Sequence, residues 1–375
     1  MIIWTDWEIV GQVSTLTVIL SRREKEKRNT MKEAMLYERL EGNAVRCNLC
    51  SHRCKMEDGK TGICMVRKNE GGTLYSLVYG QLQARHIDPI EKKPLFHYYP
   101  GTASFSIATA GCNFQCDFCQ NWRLSQSVRR EGRFEGQETL PEEIVLAAER
   151  SRCRTIAYTY SEPTIYFEYA YHIMRLAKER GIENVFVTNG FMTRETLETA
   201  QPYLGALNID LKCFRDETYR RVMRGRLEPV LESIRTSKEL GFWVEVTTLL
   251  VPGMNDSEQE IREIAQFIAS VGQEIPWHIS VFHPDYRMTD RGRTPVSLIG
   301  NAVQIGREAG LRYIYAGNLP GDPTESTRCY SCRRIVIERF GFTVTGYFLK
   351  DGRCGHCGTP IDGVGLESLE NSALA

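Results

Sequence analysis

The sequence predicts an α/β fold in which strands and helices alternate, set between two cysteine-rich segments. Three observations carry this expectation. Between residues 101 and 320, apolar β-branched runs alternate with helical patterns. Eleven of the 13 cysteines fall in three tight clusters: one before that region, one at its start and one after it. The 375-residue chain is 42% hydrophobic, enough for a large core, and its 47 basic residues balance 47 acidic ones.

The same numbers exclude whole classes. Nucleic-acid binders carry a basic excess, so zero net charge makes that partner an unexpected one. Wholesale disorder and a coiled coil do not fit the composition. No run reaches about 18 uninterrupted apolar residues, so no membrane span is expected. Residues 1–30 read as a poorly ordered leader. Their apolar run at 13–20 follows Asp6 and Glu8 and lacks a basic start, which makes a poor signal peptide. Met31 offers a more ordinary beginning, and an ordered N-terminal strand is the competing reading. Without a secretion signal, clustered thiols read as metal ligands in a cytoplasmic, reducing compartment.

Taken in order, a cysteine-rich segment covers 31–100, the β/α region 101–320, and a zinc-ribbon-like domain with its tail 321–375. Strands are expected at 104–110, 155–160, 184–188, 206–211, 243–251 and 277–282, with a seventh at 313–316. Pro141 suits the first turn of a helix. A second helix runs from about residue 166 and stops at Gly181. Ser257 and Glu260 form a capping box before Ile261, Ile264 and Ile268. Two more helices end near Gly241 and Gly310. Six or seven such repeats over roughly 210 residues suggest a parallel sheet curled into a full or partial barrel. A doubly wound open sheet is the alternative. Residues 223–226 read as a solvated loop.

Directly after the first of these strands comes Gly111-Cys-Asn-Phe-Gln-Cys-Asp-Phe-Cys-Gln120, a C-x3-C-x2-C spacing. Zinc takes four ligands in paired knuckles. Three thiolates on one short loop suit a cubane iron–sulfur cluster instead, three irons held and the fourth left open. With Phe118 before the last cysteine, the loop resembles that of the radical S-adenosylmethionine (SAM) superfamily. The resemblance implies a partial (β/α)6 TIM-like barrel and a [4Fe–4S] cluster on Cys112, Cys116 and Cys119. It implies SAM at the open iron, cleaved reductively to a 5′-deoxyadenosyl radical that takes hydrogen from a substrate. Residue by residue, Glu162 in Tyr160-Ser-Glu-Pro-Thr164 matches the glutamate that receives the methionine amino group, though the two glycines before it are missing. Asn189 in Val187-Thr-Asn-Gly190 matches a cofactor contact. Asp210 and Lys212, two apart on one strand face, would bind the cofactor, Lys212 pairing with its carboxylate. Each has a plainer reading as a turn residue or a surface pair.

Lys93-Pro-Leu-Phe-His-Tyr-Tyr-Pro-Gly101, Pro252-Gly-Met-Asn-Asp256 and Trp277-His-Ile-Ser-Val-Phe-His-Pro-Asp-Tyr286 extend the match. With them the chain, over about 31–365, resembles the AmmeMemoRadiSam-system radical enzymes, relatives of pyruvate formate-lyase activating enzymes. That resemblance implies an electron donor such as ferredoxin or flavodoxin, and Memo-like and AMMECR-type partners. It leaves the substrate unidentified. Two other readings compete: an activating enzyme acting on a glycine of a partner protein, and a zinc-ribbon binding module without catalysis. The intact central motif argues against the last.

Cys329-Tyr-Ser-Cys332 and Cys354-Gly-His-Cys357 are two C-x2-C knuckles and read as a structural zinc ribbon. His356 reads as a knuckle residue, not a ligand. Arg328, Arg333, Arg334 and Arg339 lend this domain local basicity. Cys47, Cys50, Cys54 and Cys64 could hold zinc or a second [4Fe–4S] cluster; spacing leaves both open, with zinc slightly preferred. His52 is a substitute ligand with no vacancy to fill. Cys153 and Cys213 read as buried apolar residues. His97, Tyr98, His283, Asp285 and Tyr286 are candidates to line a substrate pocket, with strand-end packing as the other reading.

Overall fold

The structure is a computed structural model that describes residues 31–367, apart from 133, 135 and 320; the leader expected at 1–30 lies outside these. Eight strands form the main sheet: β1 (Ala84–Pro89), β2 (Ala103–Ala108), β3 (Thr155–Tyr158), β4 (Glu183–Thr188), β5 (Ala206–Asp210), β6 (Trp243–Leu250), β7 (Trp277–Val281) and β8 (Ile314–Gly317). They lie side by side in chain order. β1 pairs antiparallel with β2, and every later pair is parallel. An order that never turns back has no switch point, which excludes the doubly wound alternative.

Parallel neighbours need crossovers, and helices supply them. They are α1 (Pro141–Arg150), α2 (Phe167–Glu179), α3 (Arg194–Ala200), α4 (Glu228–Glu239), α5 (Glu258–Val271) and α6 (Val296–Glu308). Right-handed crossovers in one direction put all of them on one face of the sheet. Side chains alternate accordingly. Tyr158, Phe186, Ile209, Val246 and Ile279 join the large core with the helices. Ala157, Val185 and Ala206 point the other way, onto Ile90, Leu95 and Tyr98.

All seven expected strands are present, to within about two residues at the ends. The edge strand β1 was not expected. Its sequence, Ala84-Arg-His-Ile-Asp-Pro89, is polar and ends in proline, and only an edge position with one ladder tolerates that. The capping box at α5 is half formed. Ser257 Oγ accepts from the Glu260 amide at 3.3 Å, but the Glu260 carboxylate accepts the Phe214 amide at 2.6 Å. A tertiary partner displaces the local one.

Residues 32–76 build two small antiparallel sheets. They are pinned to α2 by a buried pair, Arg67–Glu168, 2.7 Å apart. At the other end of the chain, Thr327–Arg328, Ile335–Phe340 and Thr343–Tyr347 form a three-stranded sheet with its own core. That core includes Tyr313, Tyr315 and Phe96, so this sheet packs where β8 begins. Arg339 is not part of a basic surface: it is 5% exposed. Its Nη2 donates to Phe96 O at 2.8 Å and its Nε faces Glu91 at 3.4 Å.

His97 and Tyr98 belong to this buried layer, not to an open pocket. Glu245, early in β6, accepts from the His97 amide at 2.8 Å and meets His278 Nε2 at 2.6 Å. His97 Nε2 lies 2.6 Å from Tyr315 Oη. Burial holds the His97 ring well below the ordinary histidine value, at about 4. Among the described residues, no helix is long and apolar enough to cross a membrane.

Candidate active site

β2 delivers the chain to Gly111, where a tight bend starts the cysteine loop. Gly111 has φ 101°, and a Cβ there would stand 2.9 Å from Val66 Cγ1, so only glycine fits. The loop that follows is held from two sides. On one, Gln126 Nε2 donates to Phe114 O at 3.1 Å, and Arg129 Nη2 donates to Cys112 O at 3.0 Å. On the other, the amides of Gln115 and Asp117 donate to Met223 O and Val222 O, at 2.9 and 3.1 Å. Residues 223–226 are therefore one jaw of a clamp and not the solvated loop expected. Met223 is fully buried, and a Cβ on Gly225 would lie 2.5 Å from the Phe114 ring. The arginines of this stretch gave it a solvated look, while its backbone carbonyls make the contacts.

Two of the three sulfurs have hydrogen-bonding partners. The Phe114 amide lies 3.3 Å from Cys112 Sγ, and Ser125 Oγ lies 3.2 Å from Cys119 Sγ. Burial pushes the Cys116 thiol up to about 12, with Lys212 beside it pulling the other way. Three soft sulfurs on one loop, hydrogen-bond donors and an adjacent ammonium suit an anionic iron–sulfur cluster.

Successive strand ends place the other expected residues around this loop. Lys212 Nζ pairs with Asp210 Oδ2 at 2.7 Å and sits 6.0 Å from the Phe118 ring centroid. Burial alone would lower the Lys212 ammonium. Asp210 and Cys116 outweigh it and hold the group well above the ordinary lysine value. The lysine thus stays charged, and its pairing with Asp210 leaves it next to the cysteine loop.

Glu162 and Asn189 are placed differently from a simple open contact. Glu162 is 3% exposed, and both its oxygens are engaged. Oε1 accepts from Thr164 Oγ1 at 2.6 Å and Thr188 Oγ1 at 2.7 Å, and Oε2 accepts the Asn189 amide at 2.8 Å. Burial pushes this carboxyl above its ordinary range, against the lowering by those donors. Asn189 Nδ2 donates to Asn113 Oδ1 at 2.7 Å and lies 3.8 Å from Cys112 Sγ. Its Oδ1 accepts the Phe191 amide at 3.0 Å. The two side chains form a relay that fixes the β4 turn against the cysteine loop. Gly190 completes that turn at φ 69°, with Ile209 Cγ2 2.6 Å from where a Cβ would be.

The structure also brings in residues to which the sequence gave no role. Asn255 Nδ2 donates to Lys212 O at 2.7 Å and to Leu249 O at 2.8 Å, and its Oδ1 accepts the Val251 amide at 2.7 Å. It anchors the lysine's backbone from the turn after β6. The Pro252-Gly-Met-Asn-Asp256 turn was the available signal. Trp122 Nε1 donates to Asp285 Oδ1 at 3.1 Å, and its ring stacks on Tyr286 at 5.3 Å. His283 lies 3.3 Å from Gln120. Of the five pocket candidates, His283, Asp285 and Tyr286 flank the loop.

In the C-terminal sheet, the sulfurs of Cys329 and Cys357 are 3.7 Å apart, as are those of Cys332 and Cys354, and all four lie within 4.8 Å of one another. A tetrahedral ion with metal–sulfur bonds of about 2.3 Å sets its sulfurs about 3.8 Å apart. These four could therefore hold a metal ion. His356 is not among them; its Nδ1 faces Arg334 at 3.4 Å. Cys153 and Cys213 are buried in the main core.

Comparison with known proteins agrees with the loop's placement. Residues 106–268 match the family model described as the radical SAM superfamily. The chain is 44% identical over 335 residues to an uncharacterized protein of Methanocaldococcus jannaschii, covering 88% of this chain and 99% of that one. It is 21% identical over 170 residues to the pyruvate formate-lyase-activating enzyme of Clostridium pasteurianum, covering 43% of this chain and 67% of that one. A crystal structure of a radical SAM methyltransferase from Sphaerobacter thermophilus aligns with TM-score 0.47 and 19% identity, over 59% of this chain and 68% of that one.

Proposed function

Residues 106–268 form a radical SAM domain, the mark of an enzyme, and from that premise we propose that Cys112, Cys116 and Cys119 hold a [4Fe–4S] cluster whose open iron takes SAM. When bound and given one electron by an external donor, the two would together cleave SAM to methionine and a 5′-deoxyadenosyl radical able to take hydrogen from a substrate. The single observation that carries this reading is the charged Asp210–Lys212 pair, held beside a three-cysteine loop at the carboxyl ends of parallel strands.

Lys212 presents its ammonium to the carboxylate of the cofactor, and Asp210 orients it. Asn255 fixes the backbone from which the lysine projects. Glu162 and Asn189 act one step back, setting the β4 turn and the Cys112 end of the loop. A partial (β/α)6 barrel supports this layout: the strands run in order with all crossovers to one face, and the unclosed β1 edge is antiparallel. The C-terminal four-cysteine site fits a structural zinc ribbon.

The activating-enzyme relatives favour a protein substrate and a one-electron donor of the ferredoxin or flavodoxin type. The motifs at 93–101, 252–256 and 277–286 support placing the chain with the AmmeMemoRadiSam-system enzymes, with Memo-like and AMMECR-type partners. The test is direct. Anaerobically reconstituted protein, reduced with dithionite in the presence of SAM, should release 5′-deoxyadenosine and methionine. An iron-loaded protein that leaves SAM intact would sink the reading.

Two expectations follow for single residues. Lys212→Met should weaken SAM binding by about 10- to 100-fold, the loss of a charge-assisted contact, with iron content unchanged. Isothermal titration with iron quantified in parallel checks this; unchanged affinity would remove Lys212 from the cofactor site. Cys332→Ser should lower zinc by about one ion per chain without lowering iron. Metal analysis of both proteins decides it, and equal zinc contents would refute the ribbon assignment.

A further inference from the structure

Cys47, Cys50, Cys54 and Cys64 all line one cavity, shared with Arg67, Asn113 and Ile165. The sequence left zinc and iron–sulfur open here. The grouping of the sulfurs bears on the choice. Among the described residues, the ribbon quartet is the one group of three or more candidate ligands whose donor atoms all lie within 4.8 Å of one another. The N-terminal sulfurs form no such group. A closed tetrahedral zinc site sets its sulfurs about 3.8 Å apart, close to the 3.7 Å pairs of the C-terminal quartet, whereas the thiolates on a cubane stand about 6 Å apart. Cys112, Cys116 and Cys119 of the central loop form no such group either.

A second observation comes from the cavity wall. Arg67 is 2% exposed, its two terminal nitrogens are bound to Glu168 and Met35 O, and its Nε has no partner. Asn113 is fully buried, its Oδ1 is taken by Asn189, and its Nδ2 has no partner. Buried donors without acceptors are costly. Cluster sulfurs are acceptors of the right charge for both, and donors of this kind are one of the levers that set a cluster's potential.

We propose that Cys47, Cys50, Cys54 and Cys64 hold a second [4Fe–4S] cluster, with all four irons ligated by protein, packed against the back of the radical loop. Four cysteines leave no iron open, so this cluster does not bind SAM. The two sites share a wall. Arg129 Nη2 donates at once to Ile63 O, at 2.6 Å, and to Cys112 O, at 3.0 Å. His52 Nε2, between two of the cysteines in sequence, lies 3.0 Å from Asn113 O, between two positions of the central motif. The comparison with the central loop rests on the radical reading; the sulfur spacing and the orphan donors do not.

Metal analysis of the reconstituted full chain tests this. About eight irons, eight sulfides and one zinc per chain are expected. The triple variant Cys112→Ala, Cys116→Ala, Cys119→Ala should keep about half the iron, and the EPR signal of its reduced cluster should not respond to SAM. The variant Cys50→Ala, Cys54→Ala should keep the other half, with a signal that does respond. About four irons and two zincs in the unmutated chain, or a triple variant with zinc and no iron, would overturn the proposal and leave the radical reading standing. A Cys50→Ala, Cys54→Ala protein whose remaining cluster ignores SAM would count against the radical reading instead.

Discussion

Cys116→Ala is expected to abolish 5′-deoxyadenosine formation, by about three orders of magnitude or more, while the chain stays folded. Cys116 is the middle sulfur of the loop, 8% exposed, and electrostatically the one coupled most directly to Lys212. Two remaining sulfurs on one loop do not hold a cubane with a single open iron. The loop itself should persist, because its clamps are backbone contacts to residues 222 and 223 and side-chain contacts from Gln126 and Arg129. Far-UV circular dichroism and the urea midpoint should therefore change little, and iron should fall by about four per chain. Retention of deoxyadenosine formation in this variant would mean the chemistry lies elsewhere.

The second large effect is on stability. Arg339→Leu should cost about 3–5 kcal/mol, because it strips the partner from a buried carboxylate. Both side chains of the Arg339–Glu91 pair are 0% exposed. The arginine also donates to Thr327 Oγ1 at 2.7 Å and to Phe96 O at 2.8 Å, so it ties the C-terminal sheet to the segment beneath the main sheet. Glu91 has one further donor, the Gly101 amide at 2.9 Å, and its Oε2 has none. Adding Glu91→Gln to the variant should recover much of the loss, since the uncompensated charge is gone.

The pH dependence has a definite sign. Burial already pushes the Glu91 carboxyl above its ordinary value, with Arg339 as the main opposing influence. A carboxyl raised in the folded state favours folding when protonated, and that contribution is lost as pH rises through the folded value. Without Arg339 the folded value rises further. The deficit of the single variant should then shrink as pH falls toward the ordinary carboxylate range. Urea midpoints of the three proteins across that range measure it. A single variant with unchanged midpoint, or a double variant no better than the single, would show that the pair does not hold the two parts together.

Much of this was legible in the sequence because it depends on short-range pattern. β-branched runs bounded by glycine and helix-start residues marked seven strands of the main sheet. Three cysteines within one loop, two knuckles, and four cysteines near the start gave ligand number and type. Asp210 and Lys212 share a face because strands alternate by two. Those features follow from local geometry that any fold containing them must respect.

The tertiary structure decided what depends on residues far apart in the chain. Arg339, one of four arginines that lend the ribbon basicity in sequence, is sealed against Glu91, 248 residues away. Glu162 and Asn189 spend their polar atoms on each other and on the cysteine loop, because the turns after β3 and β4 converge there. His97 lies under Glu245 and Tyr315, while His283 stands beside Gln120; nothing in their flanking residues separates a buried histidine from one at the loop. Sulfur spacing is the clearest case. Sequence counts ligands, but whether four thiolates close to 3.7 Å around one ion or stand wider around a cluster is fixed by the backbone that carries them. Here the C-terminal sheet brings one quartet within 4.8 Å, while the N-terminal four line a cavity shared with Asn113 of the central loop.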